Sequence, residues 1–580
     1  MSCGPQRRRA TPVSRSSAFI ERVPPRDVSA DSSACARSGV AEAENYSDRL
    51  MTKNCQDKEV ATLIERVAWT PAPGNLPRRA RTLMIQGTAS DVGKSMVVAG
   101  LCRAFARRGL VVRPFKAQNM SNNAAVAADS DLPPGPDGEI VFGEIGRAQA
   151  LQARACNAAP SIHMNPVLLK PQTDIGSQVV LRGRVLGNCP ARIYHRMRHH
   201  MMPAILDSLD RLRAEADLVL VEGAGSGAEV YLRSSDITNM HLAAAADLPV
   251  VILSDIDRGG TMAAIVGSHA LLDPADRARV VGYVVNKFRG DFSLFEPGVK
   301  TITECTGWPF LGVLRWFAHA DRLPAEDSLA LERPATGEGR GLKVAVPRLS
   351  RIANFDDLDP LAAEPGVALR FVQPGHAIPS DTDVIILPGS KATRTDLATL
   401  RREGWDIDIL AHVRHGGRVV GLCAGYQMLG KVVRDPQGLE GEPGETAGLG
   451  LLDIETEIGG EKRLVEIDTI DRRSGCRVTG YEMHMGRTTG PGLSRPWLML
   501  DDGAGNPRPE GAVSADGRVA GAYVHGLFGS DAFRDHWLHA VGAQTSALDF
   551  KARTEAAIDA LADHCEQNLD LDALLALARR

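Results

Sequence analysis

The sequence predicts an α/β protein in which two parallel-sheet domains follow one another along the chain. From Arg81 onward, short runs of apolar and β-branched residues alternate with helix-length segments, as expected for strands buried on both faces of a parallel sheet. A second series of such runs begins at Leu342, after a segment rich in Pro, Glu, Gly and Arg that is typical of a linker. At 580 residues, the chain is too long for a single hydrophobic core.

The first domain is expected to span residues 79–325, followed by a linker at 326–341. Its predicted strands are almost continuously apolar, and most are separated by helix-length segments. These strands are Thr82–Gln86, Val111–Phe115, Leu218–Val221, Val250–Leu253, Val280–Val285 and Phe310–Val313.

The second domain is expected to span residues 342–580. Beyond Gly450, frequent Gly and charged residues favour hairpins over helices, and from Ala552 the apolar residues recur at helical spacing. The predicted strands are Val344–Val346, Leu369–Val372, Val384–Leu387, Arg418–Gly421 and Ala520–Val524.

Bulk composition excludes several classes of protein. A formal net charge of -4 argues against general nucleic-acid binding, and no apolar run approaches the ~20 residues needed to cross a bilayer. The ten cysteines show no CxxC spacing, so we expect reduced thiols in a cytoplasmic protein. Residues 1–78 are rich in Ser, Arg and Ala, and we expect a disordered extension, with Met51 or Met84 as alternative starts, rather than a targeting presequence.

A glycine-rich loop follows the first predicted strand, in the segment Gly87-Thr88-Ala-Ser-Asp-Val-Gly93-Lys94-Ser95. Such a loop at a helix N-terminus leaves backbone N–H groups free to bind phosphate oxygens, and the helix dipole adds favourable potential. Lys94 can reach the outer phosphates and Ser95 can ligate magnesium, which predicts ATP and Mg²⁺ as ligands. The spacing between Gly87 and Gly93 is one residue longer than in the common motif.

Polar side chains follow three further predicted strands. Glu222 ends one of them and is the expected second magnesium ligand. Asp255 and Asp257 follow the next strand, and spacing alone does not decide which of them faces the site. Asn286 ends the strand after that, where a side chain could read the nucleotide base.

A sharp turn presenting a thiol is predicted at Gly421-Leu422-Cys423-Ala424-Gly425. Glycines at these positions permit a strained turn and close packing of helix on strand, and a helix N-terminus favours the thiolate. His525 is the expected base, and the backbone N–H groups of Ala424 and Gly389 are expected to form an oxyanion hole. A buried structural cysteine is the alternative interpretation of Cys423.

These motifs resemble two known domain types. The segment from Gly421 to Gln427, Leu387-Pro388-Gly389 and Tyr523-Val524-His525-Gly526 resemble a flavodoxin-like class I glutamine amidotransferase domain. The segment from Gln86 to Ser95 resembles the dethiobiotin synthetase type of P-loop domain. Together, from about Arg81 to the C-terminus, the chain closely resembles the family of adenosylcobyric acid synthases, the glutamine-hydrolysing cobyric acid synthases. The further motifs that carry this resemblance are Pro114-Phe-Lys-Ala-Gln-Asn-Met-Ser121, Glu144-Ile-Gly-Arg-Ala-Gln149, Met164-Asn-Pro-Val-Leu-Leu-Lys-Pro171, Gly223-Ala-Gly-Ser226, Pro347-Arg-Leu-Ser350 and Asn354-Phe-Asp356.

The resemblance implies ATP- and glutamine-dependent amidation of the b, d, e and g carboxylates of adenosylcobyrinic acid a,c-diamide. ATP, L-glutamine and a corrinoid polycarboxylate would be the small-molecule partners, without a permanently bound organic cofactor; a homo-oligomer is compatible with the sequence. The resemblance also implies that Thr88 lies in the ATP site and that Gln427 contacts glutamine. Polar side chains in the recognised segments would meet the carboxylates, although a solvated surface charge is the alternative for each. These residues are Lys116, Asn119, Arg147, Lys170, Asp255, Asp257 and Arg258.

One position departs from the usual amidotransferase pattern. Full triads in that class have Glu two residues after the histidine, whereas this chain has Leu527 there, so the group that orients His525 is unassigned. Two other functions remain open. One is a cobyrinic acid a,c-diamide synthase, and the other is a regulatory P-loop ATPase with a non-catalytic amidotransferase-like module.

Overall fold

The computed structural model describes residues 80–128, 141–326, 331, 341–460, 462–501 and 506–579. The predicted extension at 1–78 and most of the predicted linker at 326–341 lie outside these residues. We refer to the described residues up to 326 as the N-terminal half and to those from 341 onward as the C-terminal half; both belong to one compact unit, Cys55–Arg580.

The N-terminal half is built on a parallel sheet, as predicted. The apolar runs of the sequence supply all of its strands, because a strand covered by helices on both faces must be apolar throughout. In spatial order the strands are Phe310–Arg315, Val280–Phe288, Val250–Asp255, Arg81–Gly87, Leu218–Ser226 and Val112–Phe115. Their carboxyl ends therefore meet at one edge of the sheet.

Helices cover this sheet and alternate with its strands. Lys94–Arg107 begins directly after the glycine-rich loop, and its residues Val97 to Phe105 are buried. The other helices of this half are Arg147–Ala155, Ala191–Met197, Met202–Glu215, Met240–Ala245, Thr261–Leu271, Pro274–Arg277 and Glu296–Thr306.

Two small sheets, which were not predicted from the sequence, are formed by the segment of chain between the strands Val112–Phe115 and Leu218–Ser226 of the large sheet. One contains Gln118–Met120, Val167–Pro171, Gly176–Leu181 and Arg184–Pro190, and the other pairs Ala124–Ala128 with Phe142–Gly146. Ala124, Val126, Leu168 and Val180 from these sheets pack against Tyr481 and Met483, so they form one apolar contact between the two halves.

The C-terminal half contains a second sheet whose parallel strands have the order expected of a flavodoxin-like fold. In space they are Val367–Val372, Leu342–Pro347, Val384–Leu387, Arg418–Leu422 and Val519–Ala522, with Ala512–Val513 antiparallel at the edge. Apolar clusters lie on both faces of this sheet. The helices of this half are Asp359–Ala362, Thr393–Arg402, Trp405–Arg414, Ala424–Met428, Asp531–Ala540, Phe550–Asn568 and Leu571–Leu577.

Hairpins follow Gly430, in agreement with the shorter spacing of the sequence beyond Gly450. Arg463–Ile470 pairs with Arg477–His484, which in turn pairs with Val524–His525. The remaining strands are Ile352–Ala353, Gly389–Ser390, Val432–Asp435, Gly444–Ala447, Glu455–Glu457, Arg487–Thr489, Leu498–Asp501 and Pro507–Glu510. Short 3₁₀ turns occur at Ile162–Met164, Arg198–Met201, Val230–Ser235, Phe292–Leu294, Ala320–Arg322, Phe355–Leu358, Pro491–Ser494 and Leu527–Gly529.

The helix Phe550–Asn568, here called the closing helix, forms as the sequence predicts but packs on the N-terminal half. Its Ile558, Leu561 and Cys565 join the apolar cluster beneath Lys94–Arg107. Ion pairs reinforce the contact, such as Arg107 with Asp559 at 2.9 Å. This packing differs from the predicted assignment of all residues 342–580 to one domain. None of the described helices has the length and apolar character required to span a bilayer.

Candidate active sites

Cys423 occupies a strained turn between Arg418–Leu422 and Ala424–Met428. Its φ of 52° and ψ of -109° are unfavourable for a residue with a side chain, so the surrounding packing must impose them. A Cβ atom on Gly425 would lie 2.1 Å from the carbonyl oxygen of Leu387, and one on Gly421 would lie 2.6 Å from that of Gly425. Glycine is therefore required where the helix crosses the strand ends, and the sulfur projects from the carboxyl edge of the sheet.

His525 lies beside this thiol and lines the same cavity. It is 1% exposed, and its Nδ1 forms a hydrogen bond with Asp357. Burial alone lowers the pKa of His525, but the carboxylate of Asp357 and the charge of Cys423 outweigh it and raise that pKa to about 10. The imidazole consequently holds a proton at neutral pH and can deliver it to a leaving group.

Asp357 is the group that orients the histidine, and the sequence analysis missed it. Its Oδ2 lies 2.7 Å from Nδ1 of His525, and its Oδ1 accepts a hydrogen bond from the backbone N–H of Gly526 at 2.7 Å. Asp357 immediately follows the motif Asn354-Phe355-Asp356, which was the one available signal. Asp357 thus takes the orienting role that belongs, in the usual amidotransferase pattern, to the Glu that Leu527 replaces here.

The other predicted residues of the thiol site line one cavity of about 50 Å³ with Cys423 and His525. Ala424 begins a helix, so its N–H has no intrahelical acceptor. A Cβ atom on Gly389 would lie 3.3 Å from Cε1 of His525. Gln427 accepts a hydrogen bond from the Thr393 hydroxyl at 3.0 Å and donates to the carbonyl of Met485 at 3.2 Å, which fixes its amide.

Charged groups from both halves form the walls of this cavity. Lys170, predicted to contact the carboxylate substrate, lies here and contacts Glu144 at 2.7 Å. Lys462 also contacts Glu144, at 2.5 Å, and burial lowers its pKa to about 7. Burial likewise raises the pKa of Glu440 to about 7, and Lys391 lies opposite. The wall of the cavity thus combines the amino groups of three lysines with the carboxyl group of Glu440, which suits a small zwitterion such as an amino acid.

The glycine-rich loop lies at the carboxyl edge of the N-terminal sheet. Gly93 has φ of 94°, which favours glycine, and a Cβ atom there would meet the Asn286 amide at 2.4 Å. Nδ2 of Asn286 donates to the carbonyl of Val92 at 2.8 Å, so this side chain braces the loop. Lys94 Nζ donates to the carbonyls of Ala89 and Gly225 at 2.9 and 3.0 Å, and burial lowers its pKa.

Two carboxylates converge on Ser95. Its Oγ lies 2.7 Å from Oε1 of Glu222, the expected magnesium ligand, and 2.5 Å from Oε2 of Glu326. Lys116 Nζ lies 2.8 Å from an oxygen of each carboxylate. Glu326 was assigned to the linker and had no local motif to mark it. A hydroxyl and two carboxylates are donors suited to Mg²⁺. The described residues contain no cluster of three or more His, Cys, Asp or Glu positioned for a metal, so nucleotide oxygens would have to complete its coordination.

The remaining residues predicted to bind substrate fall into two places. Asp255, Asp257 and Arg258 lie at the carboxyl edge of the N-terminal sheet, near the glycine-rich loop. Asp255 pairs with Lys287 at 2.8 Å, and Arg258 is 71% exposed beside Asp91. Thr88 lies nearby, with its hydroxyl 3.0 Å from that of Ser254. Arg147 lies instead against Asp356 of the C-terminal half, and Asn119 lies beside the same helix, where it donates to Gln149 at 3.0 Å.

The helix Arg147–Ala155, here called the bridging helix, reaches both sites. Near its C-terminal end, Gln152 donates to Glu222 at 2.6 Å, beside the glycine-rich loop. At its N-terminal end, Arg147 contacts Asp356 at 3.0 Å, next to the residue that binds His525. A helix has about 3.6 residues per turn and rises about 1.5 Å per residue, so about 1.4 turns, or about 7.5 Å along the axis, separate the contacts to the two sites.

Comparisons with known proteins match the N-terminal half and the C-terminal half to two different domain families. Residues 83–330 match the CobQ/CobB/MinD/ParA nucleotide binding domain, and residues 343–533 match the CobB/CobQ-like glutamine amidotransferase domain. The cobyric acid synthase of Paracoccus denitrificans is 59% identical over 497 residues, which covers 86% of this chain and 99% of the relative. That of Methylobacterium nodulans is 56% identical over 502 residues, with coverage of 86% and 99%.

Solved structures show only partial likeness. PurLQS from Thermotoga maritima is 16% identical, with coverage of 38% of this chain and 98% of that chain, at a TM-score of 0.26. Chloroplast FtsY from Physcomitrella patens is 13% identical, with coverage of 48% and 75%, at a TM-score of 0.21.

Proposed function

The chain belongs to the cobyric acid synthase family, and we propose that it amidates the b, d, e and g carboxylates of adenosylcobyrinic acid a,c-diamide to give adenosylcobyric acid. It is a glutamine-dependent amidating ligase that uses a P-loop domain. The observation that carries the proposal is that a complete Cys–His–Asp site and a complete glycine-rich loop are joined by one helix.

In this proposal, the C-terminal half releases ammonia from glutamine. The thiolate of Cys423 attacks the carboxamide carbon, His525 gives its proton to the departing ammonia, and a thioester remains. The backbone N–H groups of Ala424 and Gly389 stabilise the charge on the carbonyl oxygen. Water then cleaves the thioester, which gives glutamate and regenerates the thiol. Most ammonia in water is protonated and therefore not nucleophilic, so its release within the protein, away from bulk water, would preserve its reactivity.

The N-terminal half activates the acceptor carboxylate. A carboxylate is a poor electrophile because attack would have to expel an oxide. Transfer of the γ-phosphoryl group of ATP gives an acyl phosphate and ADP, and ammonia then displaces phosphate to form the amide. Lys94 and the loop N–H groups position the phosphates. Ser95, Glu222 and Glu326 would hold Mg²⁺, which supplies neutralisation of phosphate charge. In this proposal the two reactions belong to the two predicted domains, 79–325 and 342–580, although Glu326 lies just beyond the first boundary.

The decisive experiment is mass spectrometry of the corrinoid after incubation with ATP, magnesium and glutamine. We expect four successive products, each with one hydroxyl replaced by an amino group. Two amidations of a substrate that lacks the a and c amides would instead support the a,c-diamide synthase alternative.

Matched variants test the assignment of the two sites. Cys423→Ala should lose amidation from glutamine but retain it with added ammonium salt, whereas Lys94→Ala should lose both. Cys305→Ala and Lys300→Ala, at exposed positions, serve as controls. Equal glutaminase activity in the wild type and Cys423→Ala would favour the regulatory ATPase alternative.

A further inference from the structure

A buried arginine of the N-terminal half lies beside the thiol site of the C-terminal half. Arg147, the first residue of the bridging helix, is largely buried, with 17% of its side chain exposed. Its Nε lies 3.0 Å from Asp356 Oδ2, and its Nη2 donates to the carbonyl of Ala124 at 2.8 Å and to the hydroxyl of Tyr481. Its guanidinium carbon lies 5.4 Å from the centre of the Tyr481 ring. The guanidinium of Arg147 thus contacts three groups where the two halves meet.

Both partners of Arg147 in the C-terminal half adjoin the catalytic histidine. The Tyr481 ring stacks on the imidazole of His525, with 5.2 Å between centres and 21° between planes. Tyr481 is also the strand partner of His525. Asp356 precedes Asp357 in the chain, and Asp357 binds Nδ1 of His525. Arg147 therefore holds one residue on the face of the imidazole and another beside its carboxylate partner.

Electrostatics gives this contact a second effect. Asp356 and Asp357 are adjacent carboxylates at a closed interface, where like charges repel strongly. Burial raises the pKa of Asp356, whereas Arg147 opposes that rise. Without the arginine, Asp356 would be left buried and unpaired, and it would either take up a proton or move. Either event changes the surroundings of the carboxylate that orients His525.

We propose that Arg147 is a positioning residue of the thiol site, so that the glutaminase of the C-terminal half is complete only when the N-terminal half is docked against it. The proposal rests on the proposed function, because it presumes that Cys423 hydrolyses glutamine. It replaces the expectation that Arg147 binds the carboxylate substrate. The arginine instead forms an ion pair with Asp356 and donates hydrogen bonds to Tyr481 and Ala124.

Kinetics of the full-length Arg147→Ala variant test the proposal. We expect kcat for glutamine hydrolysis to fall by about 100-fold, because small displacements of reacting groups have effects of that size. The KM for glutamine should change by less than about threefold, because Arg147 does not line the cavity. Amidation with ammonium salt should continue at the wild-type rate. Arg147→Lys should recover part of the loss, since a lysine can pair with Asp356 but cannot make the other contacts.

The matched control is Arg154→Ala on the same helix, where the arginine pairs with Glu555 at 2.6 Å, away from the thiol. Equal glutaminase kcat in Arg147→Ala and Arg154→Ala would overturn the proposal. A raised KM for the corrinoid with ammonium salt would also overturn it and restore the substrate-binding role. If Arg147→Ala does not fold, Tyr481→Phe decides by the same criteria, because it keeps the ring and removes the oxygen to which Arg147 donates. Equal rates of glutamine hydrolysis in the wild type and Cys423→Ala would instead contradict the proposed function itself.

Discussion

Asp357 holds His525 through a 2.7 Å contact between Oδ2 and Nδ1, although the two residues are 168 positions apart in the chain. The same carboxylate binds the backbone N–H that follows the histidine, at 2.7 Å. The imidazole is therefore fixed both through its own nitrogen and through the main chain. The site has the geometry of a Cys–His–Asp triad without the acid two residues after the histidine.

Asp357→Asn tests this triad. An amide cannot stabilise the imidazolium and favours the wrong tautomer, so we expect glutamine hydrolysis to fall by about 10³- to 10⁴-fold. Amidation with ammonium salt should persist. The control is Asp381→Asn, an exposed position where the carboxylate pairs with Lys343 and Arg370. Steady-state measurement of glutamate release checks the prediction, and wild-type turnover in Asp357→Asn would contradict it.

Glu222→Gln and Glu326→Gln test the magnesium ligands. Each change removes an anionic oxygen next to Ser95, so the magnesium concentration needed for nucleotide binding should rise by at least about tenfold. Calorimetric titration of a non-hydrolysable ATP analogue at several magnesium concentrations provides the measurement. Glu215→Gln, which affects an exposed pair with Arg113, is the control. An unchanged magnesium dependence in Glu326→Gln would remove that residue from the site.

The raised pKa of His525 predicts a pH-dependent stability. Between its ordinary value of 6.5 and about 10, the folded protein binds a proton that the unfolded chain releases. The stabilisation is therefore complete below pH 6.5 and is lost as the pH rises to about 10, at no more than about 1.4 kcal/mol per pH unit. Denaturant unfolding of the wild type and His525→Gln from pH 6 to 10 should show their stability difference shrinking with pH. A constant difference would contradict the prediction.

Gly425→Ala tests the close packing behind the thiol. The added Cβ would lie 2.1 Å from the carbonyl oxygen of Leu387, so strand and helix must separate, at a cost of roughly 1–3 kcal/mol or more. Gly267→Ala is the matched control. No atom lies within 4 Å of its added Cβ, and the helix should gain about 0.5–1 kcal/mol. Thermal unfolding distinguishes the two, and equal melting temperatures would refute the steric argument.

Local sequence was sufficient for the strands of the two parallel sheets and for both loops, but not for the small sheets between Gln118 and Pro190. Buried parallel strands must be apolar, and sharp turns must contain glycine, so Arg81–Gly87 and the turn at Cys423 carry their own signals. No local signal of this kind marks Asp357, Glu326 or Arg147. Their roles arise from contacts with residues far away in the chain, which depend on how the two halves dock.

The surface on which the closing helix packs also could not be predicted from the local sequence. Its helical spacing predicts a buried face, but the same pattern fits any apolar partner. The choice of Lys94–Arg107 depends on complementary details. Gly100, for example, leaves room for Cys565, because a Cβ there would lie 2.6 Å from the sulfur.

The closing helix has a consequence for how the protein is made. Ile558, Leu561 and Cys565 cover the helix that follows the glycine-rich loop, and the N–H of Thr82 in the first strand of the sheet donates to the carbonyl of Arg579 at 2.6 Å. A ribosome therefore finishes synthesising the opening strand long before it adds the residues that shield that region from water. The nascent chain must carry this uncovered apolar surface through most of translation, and chaperones can bind it during that time.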